Sequence, residues 1–102
     1  MKILVLARRH GDTPVEAMQP HFEAEVQAIW NLYAQGICRE FYTRADQSGA
    51  AVLTVESDSI PAAQKALAKL PLVELKMIDL DLIPLAPFTN LARLFQAEKQ
   101  PA

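Results

Sequence analysis

Residues Lys2 to Ala7 read KILVLA, an unbroken apolar run in which Ile3, Val5 and Ala7 are as oily as Leu4 and Leu6. A strand with one face in water alternates polar and apolar residues, whereas a run without alternation is a strand buried on both faces. Val52-Leu53-Thr54-Val55 has the same two-sided character. A chain of 102 residues buries roughly two-thirds of the surface its unfolded form exposes, enough to cover one face of a small sheet with helices. Too few residues remain to cover the other. The second face therefore calls for a second copy in isologous contact, because a bare one would be a larger apolar patch than soluble monomers usually carry.

The helices follow from periodicity. Val15, Met18, Phe22, Val26, Ile29 and Tyr33 recur at steps of three and four, with Glu16, Glu23, Glu25, Gln27 and Asn31 mostly elsewhere on the wheel. Pro20 suits the first position of the regular helix, and Gly36 stops it. Ile37 to Ala45 and Ala50 to Glu56 are β-branched and aromatic segments joined by Asp46-Gln47-Ser48-Gly49, the pattern of a hairpin. Asp58 or Ser59 then caps a short helix with Ile60, Ala63, Leu67 and Leu70 in one stripe, ended by Pro71. A last strand runs from Leu75 or Met77 to Leu85. In it Ile78, Leu80 and Leu82 share the face under the helices, and Asp79 and Asp81 share the other.

The order strand, helix, strand, strand, helix, strand is the split pattern of a ferredoxin-like α+β sandwich, a four-stranded antiparallel sheet with two helices on one face. Paired through its open sheet face, it forms a dimeric α+β barrel. The domain spans residues 1–87, and residues 88–102 form a helical extension in which Phe88, Leu91, Leu94 and Phe95 are near-helically spaced and Thr89 or Asn90 can cap.

Composition excludes several classes. Apolar residues make up 51% and charged residues 22%, with a net charge of −2, so the chain is globular and no basic tract follows a phosphate backbone. The central strands also lack the interleaved aromatic and basic residues of an RNA-binding sheet. Cys38 is the only cysteine; it permits no intrachain disulfide and reads as a small core residue. The opening MKILVLAR is too short for a signal segment, and no window is apolar enough to span a membrane. A cytoplasmic protein is expected.

Gly36-Ile37-Cys38-Arg39 leading into Tyr42 and Arg44, then Leu70-Pro71-Leu72 before an acid-studded strand, resembles the muconolactone isomerase-like proteins over about residues 20 to 85. The resemblance implies a dimeric α+β barrel, and an activity that moves a proton within an unsaturated, carboxylate-bearing lactone without a cofactor, during aromatic degradation. The chain departs from that pattern in two places. The glutamate of the family's first strand is replaced by Leu, Val and Ala, and no lysine occurs between Lys2 and Lys65.

Such an isomerase needs a base beside an acidic C–H and a donor or cation beside the developing enolate. The bases available are Asp79, Asp81, His10, His21, Glu23 and Glu40, and the cations Arg8, Arg9, Arg39 and Arg44. Asp79, Asp81 and His10 are the candidate catalytic residues. Arg39, Tyr42, Arg44 and Arg8 are the candidate substrate-binding residues, since the planar arginine fork suits a carboxylate. Each has a structural alternative: an ion pair at a dimer rim for the aspartates, a solvated loop for Arg8 to His10, and a charged edge strand for Arg39 to Arg44. Trp30 and Tyr33 read as packing residues. His10 and His21 lack a third ligand at recognisable spacing, so no metal site is expected. The competing functions are a non-catalytic dimerisation or ligand-sensing module, and a cofactor-free monooxygenase of the same architecture.

Overall fold

The computed structural model describes residues 1–96; the last part of the expected helical extension, 97–102, lies outside the described residues. Strands β1 (Lys2–Arg9), β2 (Cys38–Thr43), β3 (Ala51–Glu56) and β4 (Ile78–Pro84) form one sheet in the order β2-β3-β1-β4, with every neighbouring pair antiparallel. Helices α1 (Val15–Met18) and α2 (Phe22–Ala34) lie between β1 and β2, and α3 (Ile60–Leu67) and α4 (Pro71–Glu74) between β3 and β4. This is the ferredoxin-like α+β sandwich. The two-sided strands β1 and β3 are the central pair, as their composition requires.

Register fixes which side chains share a face. Val5 pairs with Leu53 and Leu82, and Ile3 with Val55; all of these pack against Leu32, Ala63, Leu67 and Leu70 from the helical layer. Leu6 pairs with Val52 and Asp81, Leu4 with Thr54 and Ile83, and Arg8 with Asp79. These point to the opposite face, and Leu4, Leu6, Val52 and Ile83 belong to neither of the two apolar clusters that make up the core. Asp79 and Asp81 thus flank an apolar strip on the open face, as alternation along β4 demands.

The helical layer differs from expectation in three respects. Pro20 sits in a short 3₁₀ turn, Gln19–His21, so the main helix begins at Phe22. Pro71 opens the single turn α4 as its first residue, where a missing N–H costs nothing, and so does more than end the helix before it. The largest difference is the buried side of α2. Phe22, Glu25, Ile29 and Leu32 turn inward, while Val26 and Trp30 are 65% and 55% exposed. So much of α2 is apolar that two overlapping stripes at steps of three and four fit it. The stripe containing Glu25 is the one that faces the sheet: it packs Phe22, Ile29 and Leu32 into the two core clusters, and α4 supplies a partner for the carboxylate. Trp30, Tyr33 and Phe41 form an outer aromatic cluster, with ring centroids 5.1 and 5.8 Å apart.

Ser59 rather than Asp58 caps α3, its hydroxyl accepting from the Ala62 N–H at 3.1 Å. Gly36 and Gly49 both have positive φ, +78° and +73°, which only glycine adopts without cost. Gly49 also lies under Arg9, and an added Cβ would come within 2.9 Å of its Cδ. Arg9 donates from Nε to the Ser48 carbonyl at 3.1 Å and from Nη1 to the Thr13 carbonyl at 3.3 Å, tying two loops together. Gly49→Ala is expected to cost about 1–2 kcal/mol for the left-handed backbone alone, plus the displacement of Arg9. Gly36→Ala, with open space around the new Cβ, should cost the backbone penalty only. Comparing the two by thermal denaturation isolates the Arg9 contact, and equal losses would remove it.

Candidate functional site

The two clusters of the core do not meet everywhere. One is built on Ile3, Val5, Leu53, Leu67 and Leu70, the other on Ala7, Met18, Leu72 and Ile78. Between them, under α2, lies a cavity of about 300 Å³ whose walls include Ala7, Met18, Leu53, Leu72, Leu80 and Glu25. A second lobe of about 230 Å³ shares Val26, Ile29, Thr43, Ala51 and Leu53 with the first and adds Trp30, Phe41 and Tyr42. Together they form a cleft between α2 and the β2-β3 edge of the sheet, with apolar walls and aromatic rings at the rim. Its size lies at the lower end of small-molecule sites.

Glu25 is the one acidic residue of the walls. It is 6% exposed, and its Oε1 accepts the Leu72 N–H at 2.9 Å. That N–H belongs to the first turn of α4, where helical geometry leaves it without an intrahelical acceptor. The bond explains why a carboxylate is tolerated here, and it occupies one oxygen only; among the described residues no second bond to the carboxylate occurs. Burial pushes the Glu25 carboxyl above its ordinary range, and the Leu72 hydrogen bond pulls the other way more weakly. A carboxyl displaced toward neutral pH on the wall of an apolar cavity has the character of a general acid or base. The sequence reading placed Glu25 on the polar side of the helix. Its position one step along the wheel from Val26, with Phe22, Ile29 and Leu32 completing a stripe, was the signal available.

The residues singled out from sequence fall in several places. Tyr42 borders the cleft through its place on β2, but in register with Val52 its ring lies on the open sheet face, where its hydroxyl donates to Glu40 Oε2 at 3.0 Å. This bond, with the nearby carboxylate charge, raises the phenol's pKa. Glu40 Oε1 accepts from the Thr54 hydroxyl at 3.1 Å. Arg44 is held by Asp46 in a two-pronged pair at 3.0 and 2.8 Å, which keeps the Asp46 carboxyl below its usual range. Arg39 is exposed at a bulge between Cys38 and Glu40. His10 Nδ1 lies 2.9 Å from both carboxylate oxygens of Asp79; the pair lines a separate groove along the β4 edge with Gln64, Val73 and Lys76. Arg8 and Asp81 are exposed on the open sheet face. His10, Asp79 and Arg8 therefore gather at one edge and Tyr42, Arg44 and Arg39 at the other. Cys38 is fully buried, with its thiol pushed up by burial, as a core residue should be. Among the described residues no cluster of His, Cys, Asp and Glu could hold a metal ion, and no helix is long and apolar enough to cross a membrane.

No protein-family model and no curated protein matches the chain. Solved structures do. A 5-chloro-2-hydroxyhydroquinone dehydrochlorinase from Burkholderia phenoliruptrix AC1100, solved with 2,5-dihydroxybenzoquinone, superposes with a TM-score of 0.64 at 10% identity, over 82% of this chain and 93% of the other. An antibiotic biosynthesis monooxygenase superposes with a TM-score of 0.51 at 13% identity, over 85% of this chain and 100% of the other. At such identities the likeness is one of fold: this chain shares the ferredoxin-like α+β architecture of both proteins along most of their length.

Proposed function

We propose that the protein is a homodimeric α+β barrel that takes a small cyclic, oxygen-bearing molecule of the lactone, quinone or phenol kind into the cleft under α2, and that Glu25 exchanges a proton with it without a cofactor. The observation that carries this reading is the buried carboxyl of Glu25 on the cavity wall, one oxygen bound and the other free for a ligand. The dimer rests on the apolar strip of Leu4, Leu6, Val52 and Ile83 on the open sheet face. The ring chemistry rests on the apolar walls, and the ligand of the dehydrochlorinase structure is a molecule of that kind.

The chemical step is a proton shift. The Glu25 carboxylate takes the proton of a C–H bond beside a conjugated carbonyl, and the bonding pair moves onto the carbonyl oxygen. Return of the proton to a different carbon of the conjugated system restores the carbonyl with no net oxidation. The Thr43 hydroxyl on the cavity wall is the donor available to the developing oxyanion. No cation stands on the walls, so a substrate carboxylate would stay at the mouth, where Arg44, next to Thr43, could meet it after releasing Asp46. A muconolactone isomerase-like reaction is the narrower form of this proposal.

The His10–Asp79 pair is a second candidate base, favoured by its 2.9 Å contact and its groove. The test is solvent-deuterium incorporation by NMR with a panel of unsaturated lactones, hydroxyquinones and phenols, run beside thermal-shift binding. Incorporation that needs Glu25 and survives His10→Asn supports the cleft, whereas the reverse moves the chemistry to the β4 edge. Ligand binding without incorporation supports a sensing module, and oxygen uptake with phenols supports a monooxygenase.

A further inference from the structure

The chain leaves its own body after β4. The last backbone bond to the sheet is from the Leu85 N–H to the Lys2 carbonyl at 2.9 Å. Pro87 then holds Ala86 extended, and a 3₁₀ segment, Thr89–Phe95, follows. In a 3₁₀ helix side chains three apart stand in line. Phe88, Leu91 and Leu94 therefore make one apolar ridge, and Asn90, Arg93 and Gln96 make a polar one. Among the described residues this ridge is left largely uncovered, with Phe88, Leu91 and Leu94 70%, 54% and 75% exposed, and neighbouring Phe95 is 79% exposed. With this arm the molecule measures 67 × 29 × 19 Å, with a radius of gyration of 17.8 Å, against about 13 Å for a compact domain of this length.

A second apolar surface on the same chain is also uncovered, the cleft rim of Val26, Trp30 and Phe41. The two cannot easily meet within one chain. The arm departs beside Lys2, whereas the cleft opens where Ala7, Thr43, Ala51 and Ile78 meet, five residues or about 17 Å further along β1. In an isologous dimer joined through the open sheet faces, a two-fold axis running across the strands sets the arm end of one protomer at the cleft end of the other, from which the arm reaches the cleft by passing round the sheet edge.

We infer that the C-terminal arm is exchanged between two copies of this chain, the Phe88–Leu91–Leu94 ridge of each lying on the Trp30–Phe41 rim of its partner and roofing the partner's cleft. Closed two-fold symmetry satisfies both arms and both rims at once. Arg93, the one charge of the described arm, lies on the polar side, and Glu23, exposed one helical turn before Val26 at the rim, carries the opposite charge. The site would be complete only in the dimer. The inference rests on the homodimer of the proposed function.

Trp30 is the only tryptophan and reports on the roof. In the wild-type protein its fluorescence should be poorly quenched by acrylamide, and in the full-length Leu91→Asp/Leu94→Asp variant quenching should rise severalfold with a red-shifted emission. A Trp30→Phe chain with an intact arm is then co-expressed with the Leu91→Asp/Leu94→Asp chain, and the heterodimer is isolated through two different tags. Its single Trp30 can be covered only by the partner's arm, so restored protection supports exchange. Trp30 as quenchable in the heterodimer as in the double variant overturns the inference, and so does a wild-type Trp30 already fully accessible. A wild-type protein that sediments as a monomer at micromolar concentration overturns the homodimer as well, whereas a dimer with an accessible Trp30 overturns the arm exchange alone.

Discussion

Glu25→Gln is expected to lower turnover by about 10²–10⁴-fold, the usual contribution of a positioned acid or base, with little change in KM. The substitution is close to isosteric, and its amide oxygen can still accept the Leu72 N–H, so the wall of the cleft and the start of α4 should survive. What disappears is the ability to take a proton. The pH dependence gives an independent signature. Burial raises the Glu25 pKa in the folded chain above its unfolded value. The stability that this group contributes is therefore fully present below the unfolded pKa, and it is lost as pH rises through the folded one. Glutamine has no charge to desolvate and shows no such loss. The melting temperature of Glu25→Gln relative to wild type should thus climb as pH rises through that window, and the wild-type rate should rise over the same range as the base form appears. A constant difference in melting temperature would refute the buried ionisation, and an unimpaired Glu25→Gln enzyme would refute the base.

Leu6→Asp is expected to convert the dimer to a folded monomer. Leu6 stands in the middle of the open sheet face, between Val52 and Asp81 in register, and belongs to neither core cluster. Within the monomer the new carboxylate meets water and the existing acid of β4. In the dimer it is pressed against a second sheet carrying the same substitution. An uncompensated buried charge costs about 3–5 kcal/mol, which corresponds to a dissociation constant higher by about 10²–10⁴-fold. Sedimentation velocity across a micromolar dilution series measures this, and circular dichroism checks that the monomer keeps its fold. A Leu6→Asp protein as tightly associated as wild type would mean that the open face is not the interface.

Strand identity and face were legible because a period of two allows no ambiguity. Ile78, Leu80 and Leu82 had to share a side, and Asp79 and Asp81 the other. The run Ile3 to Ala7 had to be central because nothing in it is polar. Helix α2 was less legible, since its apolar residues nearly encircle it and periodicity alone could not choose between the stripe through Val26 and Tyr33 and the one through Glu25 and Leu32. What makes the Glu25 stripe tolerable inside is a partner 47 residues away, the Leu72 N–H, which local pattern cannot reveal. For the same reason Glu25 escaped notice as a site residue while its neighbour Glu23 was considered. The charged residues near β2 were legible as a group, but their partners were not: Arg44 is engaged by Asp46 and Tyr42 by Glu40, contacts made by side chains two positions apart on an edge strand.

The split of the core into two clusters also bears on how such a fold diversifies. Val26, Trp30, Phe41 and Thr43 line the gap between the clusters without belonging to either, so exchanging them disturbs the shape of the binding space more than the packing that holds the sheet to its helices. Substitutions there are expected to be cheap for folding and, on the proposed function, to change which molecule the cleft takes, whereas those at Val5 or Leu67 are the reverse. The same architecture is kept at 10–13% identity in the two solved structures, as expected of a fold held by its core clusters rather than by the walls of its cleft.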